Sequence, residues 1–165
     1  MDLRDVIDFT PIYRQASEAF PRECCGLIIG PEAQSEGGAD PAPGERWQVI
    51  PCENAQDKLH ERFPDQYERD SRTAFAIDDR VLYTTFKEAE ANGRALKAIY
   101  HSHCDADAYF SETDVRAATA MGEPTYPGVY HIVVSVWNGN VKEVNAYHWD
   151  DTLRTFAKIE VESFG

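Results

Sequence analysis

Apolar side chains at Ile12, Ala16, Ala19 and Phe20 follow Thr10-Pro11 at helical spacing, which predicts a helix with its proline in the first turn. The apolar run CCGLIIG, Cys24 to Gly30, is too short for a helix and closes on a glycine, so a buried strand is expected. Strand character resumes in WQVIPC, Trp47 to Cys52. Between the two, PEAQSEGGADPAPGE, Pro31 to Glu45, is rich in Gly, Pro and acids and reads as a surface loop. Glu53 to Arg72 is highly charged and interrupted by Pro64, so it is expected to be irregular or partly helical. TAFAI, Thr73 to Ile77, predicts a strand. Asp78 starts a helix through Asn92, stopped by Gly93. Ala95 to His103 predicts another strand, and Ser111 opens a helix through about Met121. VYHIVVSVWNGNVKEVNAYHW, Val129 to Trp149, is the clearest hairpin, with Asn138-Gly139 at its turn. Leu153 to Val161 fits either a strand or a helix. No internal repeat is present, and hairpins with intervening helices predict an α/β sheet with helices on its faces.

At 165 residues and 42% apolar content, the chain can bury one core, and a single domain over residues 1–165 is expected. Its formal charge of −13 would repel phosphate, which argues against nucleic acid and anionic membranes as partners. The opening MDLRDVIDFTPIY lacks a basic segment followed by an apolar run, and no stretch approaches the ~20 residues that span a bilayer, so a cytoplasmic protein is expected. Cys24, Cys25, Cys52 and Cys104 form neither a disulfide framework nor a C-x-x-C pair; reduced thiols are expected.

The stretch YHSHCDADAYFSETD, Tyr100 to Asp114, changes the picture. Side chains alternate along a strand, so His101 and His103 share a face, roughly 7 Å apart along the backbone, and can converge on one ion. Catalytic zinc typically takes three protein ligands, often two His and a carboxylate, with a fourth position open. Asp114 supplies that carboxylate if Cys104 to Phe110 folds the following helix back over the strand end. Ser111-x-x-Asp114 also reads as a capping box, worth about 1 kcal/mol to the helix. The two roles are compatible, since a fixed helix start holds its first-turn aspartate rigidly.

PRECCGLIIG, then HSH, seven intervening residues, Ser111, two more and Asp114 resemble the signature of the JAMM/MPN+ zinc metalloprotease family. Asn54 after the second strand, FAID at Phe75 to Asp78, Ala108-Tyr109 and YHIVVSV resemble its bacterial stand-alone members that act on sulfur-carrier proteins. The resemblance covers roughly residues 10 to 150. It implies a mixed, largely antiparallel central sheet flanked by helices, of cytidine-deaminase-like kind. It further implies Glu23 as acid/base, His101, His103 and Asp114 as zinc ligands, and Ser111 as the oxyanion donor. The expected partner is a ubiquitin-like or sulfur-carrier protein with a C-terminal Gly-Gly tail. Residue chemistry is consistent: a partly buried Glu23 acquires a raised pKa suited to taking a proton from water. Read without the HSH motif, Glu23 is an ordinary surface acid after a helix. The family usually carries proline after the second histidine, where Cys104 stands here, either a competing thiolate or a small half-buried side chain. Asp105 and Asp107 read as solvated loop acids, and His60, His131 and His148, lacking partner spacing, as structural. A non-catalytic MPN-type scaffold and a cell-wall or other small-peptide hydrolase of the same family remain open. A zinc nucleoside deaminase needs H-x-E and P-C-x-x-C, and the chain has neither.

Overall fold

The computed structural model of the chain describes residues 1–32 and 45–165. Its elements are α1 (Leu3–Val6), α2 (Thr10–Ala19), β1 (Cys25–Pro31), β2 (Gln48–Cys52), α3 (Gln56–Arg62), α4 (Asp79–Ala91), β3 (Arg94–Cys104) and α5 (Glu112–Ala118). The two-residue strands β4 (Thr119–Ala120) and β5 (Glu123–Pro124) follow, then β6 (Tyr130–Trp137), β7 (Asn140–Asp150) and β8 (Thr155–Ser163). Six strands form one sheet in the order β2-β1-β3-β6-β7-β8. Only β3 and β6 run parallel, because α5 crosses between them; the remaining neighbours in this sheet are antiparallel. The architecture is therefore the mixed, largely antiparallel sheet with flanking helices that the resemblance implies.

Strand alternation sorts the two faces. Ile28, Ala98, Tyr100, Ile132, Val134, Val144 and Ala146 turn toward Ile12 and Ala16 of α2 and build the main core. The opposite face carries Ile99, His101 and His131, which meet Leu82 of α4 and Ala117 and Ala118 of α5. Tyr100 is fully buried over Gly26, where an added Cβ would sit 2.2 Å from its hydroxyl oxygen. That hydroxyl donates to Gln15 Oε1 at 2.6 Å. The β6–β7 turn has Asn138 at φ 50° and Gly139 at φ 80°, the two positive values that a tight two-residue hairpin requires.

Several expectations are corrected. Thr73 to Ile77 forms no strand: its backbone bonds to the Asn54 side chain instead of a sheet edge, with Ala74 O accepting from Nδ2 and Ala76 N donating to Oδ1, both at 3.1 Å. The helix opened by Ser111 ends at Ala118 and not near Met121, because Thr119 is already extended and pairs with Pro124. Leu153 to Val161 resolves largely as strand β8, whose pairing with β7 supplies the hydrogen bonds that its ambiguous pattern left open. Glu53 to Arg72 contains α3 followed by turns. Of the loop expected from Pro31 to Glu45, Pro31 closes β1, and residues 33–44 lie outside the described residues.

Candidate metal centre

His101 and His103 occupy the C-terminal end of β3, both buried and on the same face. Cys25 of β1 lies directly opposite His101. Glu23, two residues earlier, shares the parity of Cys25 and therefore comes level with His103. The third component arrives from α5. The Cys104–Phe110 loop is tied to β6 and β7: Asp105 N donates to Val136 O at 2.7 Å, and Ala108 O accepts from Asn145 Nδ2 at 3.1 Å and from the Tyr147 hydroxyl at 2.6 Å. So anchored, the loop turns α5 back over the strand end. Ser111 caps it, its Oγ accepting from Asp114 N at 3.0 Å while Asp114 Oδ2 accepts from Ser111 N at 3.0 Å.

The result is three facing acceptors. His101 Nε2 and His103 Nε2 are 3.2 Å apart; Asp114 Oδ1 lies 3.3 Å from the first and Oδ2 3.4 Å from the second. Tetrahedral ligation with bonds of about 2.0–2.1 Å places neighbouring ligand atoms roughly 3.3 Å apart, so the donor set fits one small divalent cation. His103 Nδ1 is 2.9 Å from Asp107 O, which holds the tautomer that presents Nε2 inward. The Phe75 ring stacks on His101 at 4.3 Å between centroids. Burial lowers the His101 pKa, with Asp114 opposing, and favours the neutral imidazole that ligation needs. Burial alone would raise the Asp114 carboxyl. Its contacts with both histidines and with Ser111 N outweigh this and hold it well below the usual carboxylate range.

A cavity of about 210 Å³ opens on one side of the cluster, lined among others by Glu23, His103, Ser111 and Asp114. Glu23 is 5% exposed, and its Oε2 is buried with no hydrogen-bond partner. Burial, reinforced by the Asp114 charge and opposed by Arg69, pushes its carboxyl up to about 9. Ser111 Oγ accepts from Asp114 N, which leaves its own proton to donate into the cavity. Cys104 borders the same space, outside the three-residue cluster, and burial, followed by the Glu23 charge, pushes its thiol up to about 12. The neutral half-buried side chain is thus the form the fold favours over the thiolate.

Other neighbours were given no role at the site by the sequence. The Asp107 main-chain carbonyl, not its carboxylate, serves the site. Tyr109 packs edge-on against His103 at 4.9 Å. Arg69 and Arg72 border the Glu23 cavity, and His131 lines a second, largely apolar cavity of about 270 Å³ behind His101. Asp107 and Tyr109 come from the loop between His103 and Ser111, Arg69 and Arg72 from one turn after α3, and His131 from β6, and no fixed spacing along the chain joins these three segments.

The chain matches the family described as prokaryotic homologs of the JAB domain over residues 8–150. It is 30% identical over 141 residues to the CysO-cysteine peptidases of Mycobacterium tuberculosis (strain H37Rv) and Mycobacterium bovis, covering 86% of this chain and 77% of each relative. Among solved structures, a protein of Desulfitobacterium hafniense superposes with a TM-score of 0.60 at 19% identity, covering 95% of this chain and 90% of the other. One from Salinibacter ruber does so at 0.54 and 21%, covering 96% and 91%. At such identities the likeness is one of fold.

Proposed function

Since the chain belongs to the prokaryotic JAB-domain family, of the stand-alone JAMM/MPN kind, we propose that it is a zinc-dependent peptidase cutting after the C-terminal glycines of a ubiquitin-like or sulfur-carrier protein. One observation carries this reading: His101, His103 and Asp114 converge on a single point next to a buried carboxyl, Glu23, that has an unpartnered oxygen. The choice of substrate draws on the mycobacterial relatives' name, CysO-cysteine peptidase. An extended glycine tail suits it, since it can lie against the backbone without side-chain clashes. Four free cysteines are consistent with a reducing cytoplasm.

His101 and His103 as neutral imidazoles and Asp114 as carboxylate would hold the ion. When bound, the cation supplies Lewis-acid polarisation of water and the scissile carbonyl, and its charge draws the Glu23 carboxyl down toward the neutral range. Glu23 takes a proton from the attacking water as the C–O bond forms, then gives it to the amine nitrogen as the C–N bond breaks. The Ser111 hydroxyl donates to the oxygen on which negative charge develops. No covalent intermediate with the chain is needed.

Asp114→Ala should abolish stoichiometric zinc and turnover together. Glu23→Gln should retain zinc while turnover of a Gly-Gly-tailed substrate falls roughly 10²- to 10⁴-fold. Zinc content and turnover measured on one preparation separate the enzyme from a non-catalytic MPN-type scaffold. Full zinc in Asp114→Ala, or an unchanged rate in Glu23→Gln, would contradict the assignment.

A further inference from the structure

The mouth of the Glu23 cavity contains two cations with no role in the steps above. Arg69 and Arg72 both line it and both are exposed. Arg22 pairs with Asp57 and Lys58 with Glu53, whereas among the described residues neither Arg69 nor Arg72 makes a salt bridge or lies over an aromatic ring, and Arg69 acts on Glu23 only through its charge.

Their placement is fixed by what lies between them. Ser71 is 2% exposed, and the Asp57 carboxylate accepts from its N at 2.7 Å and from its Oγ at 2.8 Å. Ser71 O in turn accepts from Glu23 N at 2.7 Å. Gln56 Nε2 donates to Arg69 O at 2.8 Å, and Arg72 N donates to Asp70 Oδ1 at 2.9 Å. The turn that bears both guanidinium groups is therefore bonded to the backbone of the proposed acid/base itself.

We propose that Arg69 and Arg72 clamp the free α-carboxylate of the residue released, making the site selective for removal of a single C-terminal amino acid. This rests on the peptidase reading above. Glu23 must deliver a proton to the leaving nitrogen, so that nitrogen lies beside Glu23. In a terminal amino acid the carboxylate carbon is two bonds from the nitrogen, which brings an anion to the cavity side where the arginines stand. An internal peptide bond or a lysine isopeptide places no charge there. The other ionisable acids lining this cavity, Glu23 and Asp114, would repel an anion, and the chain as a whole carries −13. Guanidinium groups can bind a carboxylate through paired N–H donors.

The test compares a peptide ending in Gly-Gly-Cys with a free carboxylate and the same peptide as its carboxamide. The wild-type zinc-loaded protein should favour the acid by about 10- to 100-fold in kcat/KM, mainly through KM. In Arg69→Gln/Arg72→Gln the acid-to-amide ratio should collapse to about one, with part of it restored by Arg→Lys at both sites. A wild-type protein that cuts both peptides equally overturns the clamp and leaves the peptidase intact. An acid preference that survives in the double variant overturns the assignment to these arginines. If neither peptide is cut by zinc-loaded protein, and a Gly-Gly-tailed carrier extended by cysteine is also left whole, the peptidase reading fails and the clamp falls with it.

Discussion

Ser111 caps α5 and is proposed to serve the reaction with the same side chain. Its Oγ accepts from Asp114 N, which starts α5 and also orients a proposed ligand, and the residue lines the cavity with its hydroxyl proton free to donate. Ser111→Ala should cost about 1 kcal/mol through the lost cap. Turnover in protein that is still folded and zinc-loaded should fall further, roughly 10²- to 10³-fold, if the hydroxyl donates to the oxyanion. Melting temperature, zinc content and rate from the same sample decide between the duties. A variant with lower stability and a wild-type rate would leave the serine as a cap alone. Cys104 beside the cluster is half-buried, and burial holds its thiol in the neutral form.

At the scale of elements, β3 supplies the two histidines, and the segments packed over its end supply the rest of the site. Asn54 stands at the junction, donating from Nδ2 to Glu23 O at 3.0 Å and to Ala74 O at 3.1 Å, while its Oδ1 accepts from Gln56 N and Ala76 N. One amide thus ties Glu23, two residues before β1, the start of α3 and the Phe75 segment together. Asn54→Ala leaves these backbone groups unpaired, and a loss of about 2–3 kcal/mol is expected. Because Phe75 stacks on His101, amide exchange across residues 73–77 should quicken before the sheet opens. Exchange unchanged in that segment would mean that the Phe75 contact alone holds it. The strand expected at Thr73 to Ile77 fails for the same reason: Ala74 O and Ala76 N bond to the Asn54 side chain and Ala76 O accepts from Ala55 N, so no strand edge is left to pair.

For the whole molecule, the buried imidazoles contribute acid sensitivity, which the raised Glu23 carboxyl opposes. His131 is 7% exposed, packed among Phe110 and Phe156, and burial, with the nearby His101 adding to it, lowers its pKa from 6.5 to about 4. The unfolded chain takes up this proton near pH 6.5 and the native state refuses it until about 4. Stability from this group is therefore complete above pH 6.5 and lost as the pH falls toward 4, on the order of 3 kcal/mol. Burial lowers His101 in the same sense. In chelator-treated protein, lowering the pH from 7 to 4.5 should reduce the urea midpoint of the wild type relative to that of His131→Gln. Glu23, whose raised carboxyl makes the fold more stable at the lower pH, contributes in the opposite sense to both proteins. Equal pH dependence in the two proteins would remove His131 from the account.

Periodicity alone placed α2, α4, the buried strand at Cys24 to Gly30 and the Asn138-Gly139 hairpin, because each satisfies its own backbone or packs one continuous face. The spacing from His101 to Asp114 was equally legible, since strand alternation and a helix cap are local rules. Pairing decided the rest. Whether Leu153 to Val161 became a strand depended on β7 offering an edge, and whether Thr73 to Ile77 did depended on Asn54 reaching it first. Glu23 lies some eighty residues from His103 along the chain. Only the antiparallel register of β1 against β3 makes them neighbours, and the same fold turns a surface-looking glutamate into a buried, unpartnered acid. The arginines at the cavity mouth were not legible at all. Their position depends on a turn pinned by Asp57 and Ser71, and hydrogen bonds between distant residues leave no periodic trace in a sequence.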